Sequence, residues 1–207
     1  MKRLRLSWLL AGSVVALGLS VGLIISRACA ADQSKGAALG SAAPQFTLQD
    51  QDGHDVSLKD FAGKIVVLEW TNPQCPFVRR HYQQKTMTTL ASEFHDKNVI
   101  WLAINSTHGT GNDANKQWAS DQSIPYPILN DSPGDTGHAY GAKTTPHMFI
   151  IGTDGTLLYK GGIDNDPDGS DSGRVNYVRK ALGEIIAGKA VSQPETRTYG
   201  CSVKYAK

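Results

Sequence analysis

Residues 65–70, Ile-Val-Val-Leu-Glu-Trp, and 99–105, Val-Ile-Trp-Leu-Ala-Ile-Asn, are almost continuously apolar. Runs of this length predict strands buried on both faces, as in a sheet with helices on each side. Shorter apolar runs at 46–48 and 56–58 flank Asp52-Gly53 and predict an N-terminal hairpin. A second hairpin is predicted at 147–151 and 156–160, joined by Thr153-Asp154-Gly155, because Asp-Gly tolerates the positive φ of such turns. Between these strands the spacing turns helical. Val78, Tyr82, Leu90 and Phe94 predict a helix over 76–95, Asp113 caps one running to about 121, and 174–187 reads as a helix stopped by Gly188. A short strand at 127–129 and a helical turn at 136–140 ended by Gly141 complete the pattern, and 194–207 has no periodicity. Strand and helix alternate in one α/β domain with no repeat or internal linker.

The first 30 residues stand apart. Lys2, Arg3 and Arg5 precede an apolar or small-residue run over 6–25, and Ala28-Cys29-Ala30 provides a small-x-small cleavage site. This reads as an export signal over 1–30, with an uncleaved membrane anchor as the alternative. A lipid attachment at Cys29 is disfavoured by the charge of Arg27 just before it. Either leader outcome places the remaining chain outside the cytoplasm, most simply in a bacterial periplasm. The predicted organisation is a flexible lead-in over 31–43, the main domain over 44–192 and a tail over 193–207.

Composition changes meaning once the leader is set aside. The whole chain of 207 residues carries 21 basic and 19 acidic residues, a net charge of +2, and three cysteines. Four of those basic residues and Cys29 lie in the leader, so the mature chain is slightly acidic and keeps only Cys75 and Cys201. This balance gives no electrostatic footprint for nucleic acid, and any membrane contact would run through the leader. Two cysteines are too few for a disulfide scaffold, so a cysteine that matters here acts as a thiol.

Cys75 stands where a buried strand ends and a helix begins, with Pro76 at the first helical position. Amide groups at a helix start favour an anion, so the thiol is expected to ionise more readily than usual. Arg79 and Arg80, one turn on, either support the thiolate or form a solvated face. His147 and Met148 raise a copper reading with Cys75, because imidazole, thioether and thiolate suit that metal. The sequence around 164–169, Asp-Asn-Asp-Pro-Asp-Gly, begins like a calcium loop, but Val175 stands where the closing Glu belongs, so an acidic solvated turn is expected. No metal is assigned. His54, His81, His95, His108 and His138 have no ligand spacing and read as surface or capping residues, and Trp70, Trp101 and Trp118 as packing residues.

Thr144-Thr145-Pro146 entering an apolar strand, taken with Cys75, resembles the thioredoxin superfamily, whose cis-proline packs against the active cysteine. Ala43-Pro-Gln-Phe-Thr-Leu, followed by Gly53, resembles the opening of its redoxin branch, the alkyl hydroperoxide reductase and thiol-specific antioxidant family. Asn72-Pro-Gln-Cys-Pro-Phe-Val78, Gly161-Gly-Ile-Asp164 and Tyr199-Gly-Cys-Ser-Val-Lys-Tyr205 are similar to a peroxiredoxin-like subgroup. The resemblance implies a thioredoxin-like α/β fold with a central mixed sheet and no organic cofactor. It also implies a site in which Pro146 and the backbone of Thr145 receive substrate; from its place one turn into the helix, Arg79 is expected as a further substrate contact. Glu69 takes the place of the buried acid that moves the thiol proton in thioredoxins, or else points to the sheet edge and meets Arg79 or Arg80. Cys201 either resolves or exchanges with Cys75, staples the tail by a fixed Cys75–Cys201 disulfide, or does not meet it.

The chain departs from its better-known relatives at three places. Val78 stands where thioredoxins have their second cysteine, Leu68 and Asn72 replace the proline and threonine of the peroxiredoxin motif, and Asn72 also replaces a cysteine frequent in the subgroup. The expected function is exported thiol-dependent oxidoreduction through Cys75, acting on a peroxide or on a protein or small-molecule disulfide, with an outside thiol as reductant. The competing expectation is a binding or structural module that keeps the fold and has lost the chemistry.

Overall fold

The computed structural model describes residues 36–206, so the predicted leader lies outside the described residues. The strands are β1 (Thr47–Gln49), β2 (Asp55–Ser57), β3 (Ile65–Trp70), β4 (Val99–Asn105), β5 (Ile128–Asn130), β6 (Thr144–Thr145), β7 (His147–Ile151), β8 (Leu157–Gly161) and β9 (Cys201–Ser202). The helices are α1 (Pro76–Gln83), α2 (Thr86–Phe94), α3 (Asn112–Gln122), α4 (Asp135–Tyr140) and α5 (Tyr177–Ile186). The main sheet runs in the order β2-β1-β5-β4-β3-β7-β8. Its centre is parallel through β3, β4 and β5, while β7, β8 and the β1–β2 hairpin run antiparallel to their neighbours. This is the thioredoxin-like mixed sheet that the sequence predicts.

The continuous apolar runs are explained by burial on two sides. Ile65 and Val67 of β3 pack with Val99 and Trp101 of β4, Met148 and Ile150 of β7, and residues of α1, α2 and α5. Val66, Leu68 and Trp70 face the other way, with Leu102, Ile104, Phe149 and Tyr140. Alternation in a strand thus feeds two cores, so neither face has room for polar side chains.

Several boundaries differ from the sequence expectation. The helix predicted over 76–95 is two helices, split at Lys85, whose φ of 56° is left-handed. The apolar stripe carries the reason: Tyr82 is followed by Met87, a step of five that is one residue too long for a continuous face, and the left-handed residue absorbs it. α5 begins later than predicted because the Asn176 side chain caps it by accepting the Arg179 N–H at 2.8 Å. Gly111 occupies the N-cap position expected for Asp113, which sits inside the first turn of α3.

The domain limits at 44 and 192 also cut into the fold. Within the stretch expected to be a flexible lead-in, Ala37 and Ala43 are buried, and Gly40, Ser41 and Ala43 bond to the backbone of residues 155–157. The tail likewise returns to the domain, with β9 pairing antiparallel to β6 and Val203 packing on the second core. Among the described residues, no helix is long and apolar enough to cross a membrane.

Candidate active site

The site is built on the turn after β3. The Asn72 side chain accepts the Gln74 N–H at 2.8 Å and its carbonyl accepts the Cys75 N–H at 3.0 Å, folding the chain so that Cys75 becomes the N-cap of α1. Asn72, noted in the sequence as a departure from the resembled motifs, therefore shapes the turn. Pro76 occupies the first helical position, as the sequence predicts, and the Cys75 carbonyl accepts the Arg79 N–H at 2.9 Å.

Cys75 is 1% exposed, and its Sγ lies 3.0 Å from the Thr145 carbonyl oxygen, to which the neutral thiol donates. Burial pushes the Cys75 thiol up, but this is outweighed by the Thr145 side chain, the Val78 N–H and the thiol and N–H of Cys201, so the net direction is downward. The Thr145 carbonyl works against that direction, because it accepts only from the protonated form. The Thr145 hydroxyl is buried without another partner and so is free to donate to the anion. The Thr145–Pro146 peptide bond is cis.

Cys201 arrives from the tail. In the β6–β9 ladder Thr145 is directly opposite Cys201, and Thr144 opposite Ser202. Both cysteines are free thiols, Cys75 buried and Cys201 half-buried. Burial pushes the Cys201 thiol up, and the adjoining Cys75 pushes it further, to about 11. The two thiols are thus shifted in opposite directions, Cys75 toward the thiolate and Cys201 toward the protonated form, and their contact adds to both shifts. Gly200 is essential to this approach: its φ is +128°, and a Cβ there would collide with the Thr145 carbonyl oxygen.

Glu69 is 0% exposed, next to last in β3 and flanked by β4 and β7, so of its two expected placements the sheet-edge one that would meet Arg79 or Arg80 is not the one adopted. Its Oε1 accepts from the Tyr82 hydroxyl at 2.9 Å, and its Oε2 from Trp101 Nε1 at 3.0 Å and Tyr126 at 3.3 Å. Burial raises this carboxyl to about 7, with the three donors pulling the other way. Tyr82 belongs to α1, the helix capped by Cys75, and packs in the same core as Cys75. Arg79 is exposed with no side-chain hydrogen bond in the described residues, while Arg80 donates to the carbonyls of Asp166 and Pro167.

Sequence reasoning missed a buried chain of polar groups that fastens the tail. His81, expected at the surface, is 0% exposed, and its Nε2 lies 2.8 Å from the Tyr199 hydroxyl, which donates to Asp164. Burial pushes the His81 imidazole down to about 4, so it is neutral. The signal was present in the Gly-Gly-Ile-Asp164 and Tyr199-Gly-Cys motifs, which the fold joins through His81. At the far end Tyr205 donates to the Ala142 carbonyl at 2.8 Å and stacks on His138 with ring centres 4.0 Å apart. Tyr199 and Tyr205 thus hold the tail on either side of Cys201.

The metal readings do not assemble. His147 pairs with Trp70 and lies tilted against Phe149 of the second core, on the opposite sheet face from Cys75 and Met148. Asp166 is buried, not solvated as expected, and accepts backbone N–H groups from Gly169, Ser170 and Asp171, while Asp164 is buried against Tyr199. Among the described residues, no group of three or more His, Cys, Asp or Glu is placed to hold a metal ion.

Known proteins resemble this chain in sequence and fold. The thiol-disulfide oxidoreductase ResA of Bacillus thuringiensis subsp. konkukian is 27% identical over 120 residues, covering 58% of this chain and 67% of the relative. The crystal structure of a conserved protein from Geobacillus kaustophilus superposes with a TM-score of 0.75 at 28% identity, covering 84% of this chain and 95% of that one. The thioredoxin domain of a thiol-disulfide oxidoreductase from Bacteroides vulgatus shares the fold, with a TM-score of 0.53 at 24% identity over 60% of this chain and 89% of that one. The AhpC/TSA family model matches residues 39–160. That match spans more than half of the sequence, and the chain accordingly belongs to the AhpC/TSA family, as an oxidoreductase of the thioredoxin superfamily.

Proposed function

We propose that this protein is an exported thiol oxidoreductase in which Cys75 attacks and Cys201 resolves. The observation that carries the reading is the register of the tail: opposite Thr145, Cys201 adjoins Cys75, and the pair is shifted toward one thiolate and one thiol. A pair so divided has an attacker and a partner that waits, which supports exchange over a static staple.

With a disulfide substrate R–S–S–R′, the Cys75 thiolate attacks one sulfur, a Cys75–S–S–R bond forms, and R′S⁻ leaves. Cys201 then gives up its proton and attacks the Cys75 sulfur, forming the Cys75–Cys201 disulfide and releasing RS⁻. With a hydroperoxide, the same thiolate takes the terminal oxygen and becomes a sulfenic acid, while the alkoxide or hydroxide leaves and is protonated. Cys201 condenses with the sulfenic acid and water is lost. In both cases the substrate gains two electrons from the dithiol, and an outside thiol restores the pair. Attack by that thiol on half-buried Cys201 expels Cys75, the better leaving group because its thiolate is the more stable, and leaves Cys201 joined to the reductant; a second thiol equivalent attacks the reductant's sulfur, frees Cys201 and departs as an outside disulfide.

Glu69 is assigned as the proton store of the site, since a carboxyl near 7 exchanges a proton at neutral pH. Thr145 and Pro146 line the sulfur, and Arg79 acts at most on a substrate outside the pocket. Export rests on the leader pattern of residues 1–30, and comparing mature and unprocessed masses in culture fractions tests it. The chemistry is tested by giving the reduced chain one equivalent of oxidised dithiol or hydrogen peroxide and following thiol loss. Paired loss of Cys75 and Cys201 supports the reading. An unreactive Cys75 favours a binding module that has kept only the fold.

A further inference from the structure

We propose that β9 occupies the place of a bound substrate strand, so that Cys75 takes small oxidants of sulfur chemistry and is closed to extended polypeptide disulfides while the tail is docked. This rests on the reading that Cys75 is the reacting thiol.

The tail itself shows how an extended chain brings sulfur to this site. β6 is a short edge beside Cys75, and a strand pairing antiparallel to it places the residue opposite Thr145 against the Cys75 sulfur. A peptide adding to the same edge would use the same backbone groups, which is how β-augmentation recognises extended chains. Those groups are already taken by Cys201 and Ser202, and Val203 N–H continues the contact to the Lys143 carbonyl at 3.1 Å. Gly200 passes so close to the Thr145 carbonyl that no second strand fits between them.

The occupant is also fastened at both ends. Tyr199 is tied to His81 and Asp164, and Tyr205 lies over Gly134 and Gly137, where a Cβ on either glycine would run into its ring. A polypeptide must therefore undo the ladder and at least one tyrosine seat before it reaches Cys75. A small molecule needs only a local opening above a buried thiol.

The test uses the reduced full chain in single turnover with three oxidants: hydroxyethyl disulfide, hydrogen peroxide, and an extended peptide of about ten residues whose one cysteine is joined to 2-mercaptoethanol. The reactive bond is of the same kind in the first and third, so their ratio reports access. Mass spectrometry counts every chain in which the Cys75 thiol is lost. Hydroxyethyl disulfide is expected to react at least about tenfold faster than the peptide. Tyr205→Ala, which removes one seat, is expected to raise the peptide rate about tenfold and leave the hydroxyethyl disulfide rate within about twofold. Tyr205→Phe keeps the ring and loses only the bond to Ala142, so it gives a smaller gain in the same direction and serves if the alanine variant does not fold. A peptide that reacts as fast as the small disulfide in the unaltered chain overturns the proposal, as does a peptide rate that neither variant raises. If none of the three oxidants consumes Cys75 in any form of the chain, the redox reading itself falls, and this inference with it.

Discussion

Cys201 stands directly opposite Thr145 in the β6–β9 ladder, and this register sets the tail thiol against Cys75. In the proposed function, a cysteine distant in sequence thereby takes the part that a second cysteine in α1 plays in a local dithiol. Val78, at that helical position, is free to pack in the core instead.

The first consequence concerns ionisation. In the unaltered chain, alkylation of Cys75 should rise with a midpoint below that of an ordinary thiol. Replacing Cys201→Ala removes the neighbouring thiol that helps hold the anion, so the midpoint should move up. Rates of iodoacetamide labelling, read by mass spectrometry across a pH series, check both. An unchanged midpoint in the variant contradicts the contact.

Glu69 makes stability depend on pH in an unusual direction. Burial raises its carboxyl from 4.5 to about 7, so between those values the folded chain keeps a proton that the unfolded chain has lost. At this group the unfolded state then binds fewer protons, and the stability Glu69 contributes falls as pH rises through that window and levels off above it. The span corresponds to a loss on the order of 3 kcal/mol. Buried His81 and His147, held neutral in the fold, tilt part of the same window the other way in both forms, so Glu69 is read as a difference: in urea unfolding at both ends of the window, the protein should lose stability relative to Glu69→Gln as pH rises. Parallel slopes contradict the assignment.

Tyr199→Phe should loosen the tail without removing a ring. It deprives His81 Nε2 of its partner in a fully buried site, a loss worth about 1–3 kcal/mol. Cys201 should then alkylate faster, and its midpoint should fall from about 11 toward the ordinary thiol value as it leaves Cys75. Nitrogen shifts of the His81 ring at about pH 5.5 provide an independent reading, since the imidazole is expected to be neutral there in the protein as it stands. A protonated ring at that pH contradicts the burial of His81.

The sheet was legible because its signal is local. Runs such as 65–70 and 99–105 carry enough consecutive apolar residues to declare strands with two buried faces, and Cys75 followed by Pro76 declares a helix start. The break at Lys85 was written more faintly, in the five-residue step from Tyr82 to Met87, with no glycine or proline to mark it. The tail was not legible as a strand, because two residues have no periodicity and β9 exists only through its pairing with β6. His81 misled for a related reason: its burial depends on Tyr199, far along the chain, and a single residue on a helix does not reveal a distant partner. Glu69 could be recognised as an isolated carboxyl in an apolar strand, but its three donors come from α1, β4 and the segment before β5.

The most direct test of the account is to map the disulfide formed in single turnover. The reduced chain receives one equivalent of oxidant, is quenched in acid, alkylated and digested. The account predicts an intramolecular Cys75–Cys201 disulfide in the unaltered chain and, in Cys201→Ala, a lasting mixed disulfide or sulfenic acid on Cys75. Recovery of both cysteines as free thiols, or of Cys201 oxidised while Cys75 stays reduced, would contradict it.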